Sequence, residues 1–158
     1  MRFRLLHLFT LLAICAVIFV GVRLAVRKDR EWQYLHAAQD GELDVIQWCL
    51  KNGVDVNTRD GCSSTALMYA AADGHTEIVS KVLDAGADPN ERTRLKRTAL
   101  MWAAKYGHSS TITLLLNRGA DPDMADAEGM TAHDHATANG HFTSAALLSQ
   151  STPNGAEP

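Results

Sequence analysis

Residues 65–90 read TALMYAAADGHTEIVSKVLDAGADPN, and residues 98–123 read TALMWAAKYGHSSTITLLLNRGADPD. The second stretch is the first displaced by 33 positions. The same interval joins Gly41, Gly74, Gly107 and Gly140. It joins Gly53, Gly86 and Gly119; Thr65, Thr98 and Thr131; Ala37, Ala70, Ala103 and Ala136; and Asp55, Asp88 and Asp121. Five residue columns on one spacing mark an array of structural units, each of which packs on its neighbours.

The residues explain the unit. Thr65 stands before ALMYAA, a run of helix formers, where its hydroxyl can cap the free N–H groups of the first turn. Small Ala70 and Ala71 let neighbouring helices approach closely. Gly74 and Gly107 fall where a first helix must stop and reverse. A second helix follows in EIVSKVL (77–83) and TITLLL (111–116), with Ile78, Val79, Val82 and Leu83 on one face. The loops GADPN and GADPD then turn the chain toward a hairpin tip. One such unit cannot bury its apolar face, whereas four in a row bury a continuous core.

These motifs resemble the ankyrin repeat family, whose signature includes T-P-L-H-x-A at a period of 33. The resemblance covers about 28–150. Ala66 and Ala99 replace the family proline, and Met68 and Met101 the family histidine. The first copy begins WQYLHAA without the threonine, and the last stops after Leu147 and Leu148, as terminal repeats facing water do. The resemblance implies an all-α fold: an ankyrin-type α-solenoid of helix-turn-helix pairs with short β-hairpin loops. Its repeats would span about 28–59, 60–92, 93–125 and 126–150.

The same resemblance implies protein–protein recognition, with partners held by the tips and by the exposed side of the first helices. On this chain the tips carry Gly61, Cys62 and Ser64; Arg94, Leu95 and Arg97; Ala127, Glu128 and Met130. The ends of the first helices carry Gln39 and Asp40, Ala72 and Asp73, Lys105 and Tyr106, Ala138 and Asn139. The tip RTRLKR (92–97) gathers four of the nine basic residues beyond position 30. It reads either as a solvated loop or, with Lys105 and Tyr106, as a hot spot for an acidic segment. The expected partner-binding residues are therefore Arg94, Leu95, Arg97, Lys105, Tyr106, Asp73, Cys62, Ser64, Glu128 and Met130. Tyr69 and Trp102 share one repeat position and read as an internal ladder or as a ligand-facing strip.

No catalytic residues, metal site or cofactor are expected. His75, His108 and His141 recur one repeat apart, too far for one ion's ligand sphere, and in ankyrin-like repeats this histidine braces a loop. His133 and His135 point to different sides of a helix. Phosphate-binding, nucleophile-elbow and zinc-protease motifs do not occur. A shallow groove suits neither acid–base chemistry nor a small-molecule substrate.

Charge divides the chain. Residues 1–30 hold six basic residues and one acidic, and the other 128 hold nine basic and seventeen acidic, for a formal net charge of −3. An acidic body disfavours nucleic acid. Residues 5–22 read LLHLFTLLAICAVIFVGV. At 1.5 Å per residue they make about 27 Å of helix, close to a bilayer core. Residues 1–27 thus read as a single-pass membrane anchor, with a cleaved signal peptide as the rival. Arg23, Arg27, Lys28 and Arg30 after the run favour a cytoplasmic body, as do unpaired Cys49 and Cys62, with the periplasmic or extracellular side as the alternative. The polar tail 151–158 reads as disordered. The expected function is a membrane-tethered interaction scaffold, or else an exported, signal-cleaved module serving as accessory factor or effector.

Overall fold

The computed structural model describes residues 28–151. The run 5–22 and residues 152–158 of the tail lie outside the described residues, and with them the expected anchor and most of the expected disorder. Among the described residues no helix is long and apolar enough to cross a membrane.

Eight helices account for the described chain: α1 (28–40), α2 (Leu43–Lys51), α3 (Ala66–Ala72), α4 (Thr76–Asp84), α5 (Ala99–Tyr106), α6 (Ser109–Asn117), α7 (Ala132–Ala138) and α8 (Phe142–Ser151). They form four pairs. The first helices stack in one row, α3 on α5 on α7, and the second helices in another, α2 on α4 on α6 on α8. Ser151, expected in the tail, instead closes α8.

The alanine column lets the rows pack. Ala70, Ala71, Ala103, Ala104 and Ala136 are buried with Leu67, Leu100, Ile78, Ile112, Leu115 and Leu148 in one continuous core. Burying a side chain of that size contributes about 1.5–3 kcal/mol, so a short helix that is marginal alone is held by its neighbours.

Glycine and histidine lock successive units together. Gly74 (φ +75°) turns the chain between α3 and α4. A Cβ there would come within 2.5 Å of the His108 ring. His108 Nε2 in turn bonds the carbonyl of Ala72 at 2.9 Å. His75 does the same one repeat earlier, to Gln39 O at 2.9 Å, and the His141 ring lies against Gly107. The recurring histidines are inter-repeat braces. Among the described residues no three His, Cys, Asp or Glu side chains gather as a metal site.

Two local expectations change. The hairpin loops carry no strands among the described residues; the one ladder contact is the isolated bridge Arg59–Thr65. Each tip is too short for a second rung. It closes instead by turn bonds such as Thr93 N to Arg97 O (2.9 Å) and Asp126 N to Met130 O (3.0 Å). Its outer backbone is spent on the neighbouring tip, through Arg94 N to Cys62 O (3.2 Å) and Ala127 N to Leu95 O (2.9 Å). The threonine caps also differ. Thr98 and Thr131 accept from the N–H groups of Met101 and Asp134, whereas the Thr65 hydroxyl caps nothing and is buried without a hydrogen bond.

Candidate functional site

A second repeat column decides the site. Asp60, Thr93 and Asp126 are 33 residues apart in the tips, and His36, Tyr69, Trp102 and His135 share the facing position on the first helices. Where the tip carries aspartate, the facing side chain is tied to it. Asp60 Oδ1 accepts the N–H groups of Cys62 (2.8 Å) and Ser64 (2.7 Å), and its Oδ2 accepts the Tyr69 hydroxyl at 2.8 Å. Asp126 repeats the arrangement with Glu128 N (2.8 Å), Met130 N (3.1 Å) and His135 Nε2 (2.9 Å).

These contacts set the titration of the groups. Burial by itself would raise the Asp126 carboxyl. The donors on Met130, His135, Glu128 and Arg97 outweigh it and bring the group down to about 2. Asp60 is lowered in the same way, by the Ser64 and Cys62 N–H groups and the Tyr69 hydroxyl acting against burial. Tyr69 is pushed up to about 12 by burial and by Asp60.

The third tip breaks the pattern. It has Thr93 where its neighbours have aspartate, and Thr93 Oγ1 accepts only from Arg97 N at 3.1 Å. Trp102 therefore has no carboxylate to bond and stands half-buried as an open ring. Tyr106 lies one turn on, nearly parallel to it at 6.3 Å. Cations cover the pair: Arg97 is 5.6 Å from the Trp102 centroid, and the Lys105 ammonium is 5.2 Å from Trp102 and 5.4 Å from Tyr106. Such contacts stabilise by about 0.5–1 kcal/mol where exposed.

Two pockets open on either side of Tyr69. One, about 210 Å³, lies between Ser64, Met68, Tyr69, Asp73, Trp102 and Tyr106. The other, about 250 Å³, is bounded by Trp32, Leu35, His36, Gln39 and Asp60. Together they make a groove across the first three repeats. At the fourth, His135 is buried against Asp126 and the groove is closed.

The expected partner residues sort by this geometry. Ser64, Asp73 and Tyr106 line the 210 Å³ pocket, and the Lys105 ammonium lies 5.4 Å from the Tyr106 ring. Cys62, Arg94, Leu95 and Glu128 are exposed along the tips, away from the pocket walls, and Met130 is half-buried in the fourth tip. Arg97 is engaged within the chain, at 3.2 Å from Asp126 and 3.3 Å from Glu128. Arg92 bonds the carbonyl of Ala125, so Arg94 and Lys96 are the exposed cations of that tip. Tyr69 and Trp102 are neither a sealed ladder nor a bare strip, since one is tied and the other open. The alternation Asp60, Thr93, Asp126 was the sequence signal for this difference.

The family model for ankyrin repeats matches three times, over residues 12–93, 34–126 and 81–158. The chain belongs to the ankyrin repeat family. A comparison with curated proteins gave no match. Ankyrin repeats are protein–protein interaction modules.

Proposed function

We propose that the protein is a membrane-tethered recognition scaffold that holds an acidic, apolar segment of a protein partner in the groove between Tyr69 and Trp102. Lys105 carries this reading. Its ammonium lies on the Trp102 and Tyr106 rings, two of the side chains that line the 210 Å³ pocket, and has no ion pair among the described residues. An apolar side chain in the pocket with a carboxylate beside it would meet aromatic walls and a cation already held in place, the composition found in interface hot spots. Exposed Arg94 and Lys96 on the adjoining tip extend the positive field. No step requires a cofactor.

The tether is supported by the apolar run 5–22, and Arg23, Arg27, Lys28 and Arg30 behind it, against Arg2 and Arg4 before it, favour a body on the cytoplasmic side under the positive-inside rule. Tethering raises the effective concentration toward membrane partners. The test is cross-linking in solubilised membranes followed by partner identification. Trp102→Ala and Arg94→Glu with Lys105→Glu should each lose a partner that the wild type captures, the charge-reversed pair at an unchanged thermal midpoint. A capture indifferent to both rejects the groove. A chain beginning at Met1 in washed membranes supports the tether; one beginning after the apolar run replaces it with the exported module.

A further inference from the structure

We propose that the end of the described stack formed by α1 and α2 is a second docking surface whose occupant is a basic, apolar segment of a partner protein. It adjoins the groove at Trp32 and His36, extends away from it over α2, and has the opposite sign.

In the interior repeats this side of the unit is covered by the repeat before it. Ile78 and Thr111 are buried there, and His75 and His108 reach back to the preceding glycine. The first repeat carries Val45 and Glu42 at those positions. Val45 remains only half-buried, and a carboxylate stands where the bracing imidazole would be. Around them is an open depression of about 470 Å³, the largest of those described here.

Its floor is apolar and aromatic. Trp32 is 60% exposed and Trp48 50% exposed, which is unusual for side chains of this size. The His36 ring stacks on Trp32 at 3.8 Å, with Nδ1 directed to the Trp32 carbonyl, and keeps that ring's outer face presented. Its rim is acidic. Asp40, Glu42 and Asp44 are all exposed, and none has an ion pair among the described residues. The Arg30 guanidinium is directed to the Asn52 carbonyl at 2.9 Å.

Charge complementarity selects the occupant. Three unpaired carboxylates cannot be matched by one cation, and two indole faces favour guanidinium or ammonium groups with an apolar stem. Two or more Lys or Arg residues interleaved with aliphatic side chains, carried on one peptide, supply both. An acidic partner or an anionic lipid surface meets repulsion here.

The test uses full-length Trp102→Phe protein in a non-ionic detergent, so that tryptophan emission reports Trp32 and Trp48. The probes are a nine-residue amidated peptide alternating arginine and leucine and its glutamate counterpart. The arginine peptide should change the emission saturably and weaken with salt, and the glutamate peptide should not bind. Asp40→Asn/Glu42→Gln/Asp44→Asn and Trp48→Ala should each weaken binding by about tenfold, while Lys105→Ala leaves it unchanged. Equal binding of the two peptides, or affinity indifferent to the neutralising variant, overturns the proposal. So does emission shielded from a soluble quencher before peptide is added, or self-association abolished by the same variant, which would make a second copy the occupant. Failure here leaves the groove untouched, since that reading is tested through Lys105 and Trp102.

Discussion

Arg97 donates from Nε to Asp126 Oδ2 at 3.2 Å, joining the third tip to the fourth. The guanidinium that the sequence offers to a partner is thereby turned into a strut, with Asp126 almost wholly buried beneath it and His135 on the same oxygen. The groove ends at this cluster.

Stability should follow the Asp126 carboxylate. Its folded pKa of about 2 lies below the ordinary 3.8. Its contribution is therefore complete above the ordinary carboxyl range and is lost as pH falls from about 4 toward 2. Asp60 and Asp134 are shifted in the same direction. Urea midpoints should decline over this interval and decline less steeply in Asp126→Asn. Asp126→Ala, which strands buried donors, should cost about 3 kcal/mol at neutral pH. A flat profile in the wild type contradicts the arrangement.

Two glycines should respond unequally to alanine. Gly86 has φ +94° and open space around the added methyl, so Gly86→Ala should cost about 1–2 kcal/mol from the backbone alone. In Gly74→Ala the methyl also meets the His108 ring. Its cost should exceed that of Gly86→Ala by at least about 1 kcal/mol. Equal losses in denaturant titration would show that the imidazole brace yields freely.

Lys96 holds φ +58° at the repeat position where the fourth tip has Gly129 at φ +82°. A left-handed lysine stores about 1 kcal/mol relative to glycine. Lys96→Gly should therefore raise stability by up to that amount, less the added freedom of the unfolded chain. A lowered thermal midpoint would mean that the lysine stem contributes packing at the tip.

The two described cysteines should differ in reactivity. Cys49 is buried and its thiol is raised by burial, with Arg30 acting in the opposite direction; Cys62 is exposed. A maleimide should modify Cys62 in the native protein and Cys49 only as the chain unfolds. Site-resolved mass spectrometry follows this, and parallel modification of both would contradict the packing around α2.

Much of the frame was legible. The spacing of Gly74 and Gly107 located the reversals, and the apolar face of Ile78, Val79 and Val82 located the second helices, because both depend on contacts within a few residues. The polar seam between the second helices was not legible. Thr111 and Ser144 are buried like the aliphatic residues around them, and their hydroxyls pair with Thr76 at 2.9 Å and Ser109 at 3.1 Å. Each partner lies 35 residues away, so neither hydrophobicity nor local pattern reveals it.

The 33-residue period by itself determined that the chain folds as stacked helical pairs, since each pair exposes an apolar face that only another copy can cover. Tertiary structure decided which side chains remain free on that stack. Arg97 and Lys105 are eight residues apart in the same repeat, yet one is neutralised by Asp126 and the other is left over Trp102 and Tyr106. The difference arises because an ion pair depends on distances across repeats, and those distances exist only once the repeats have docked.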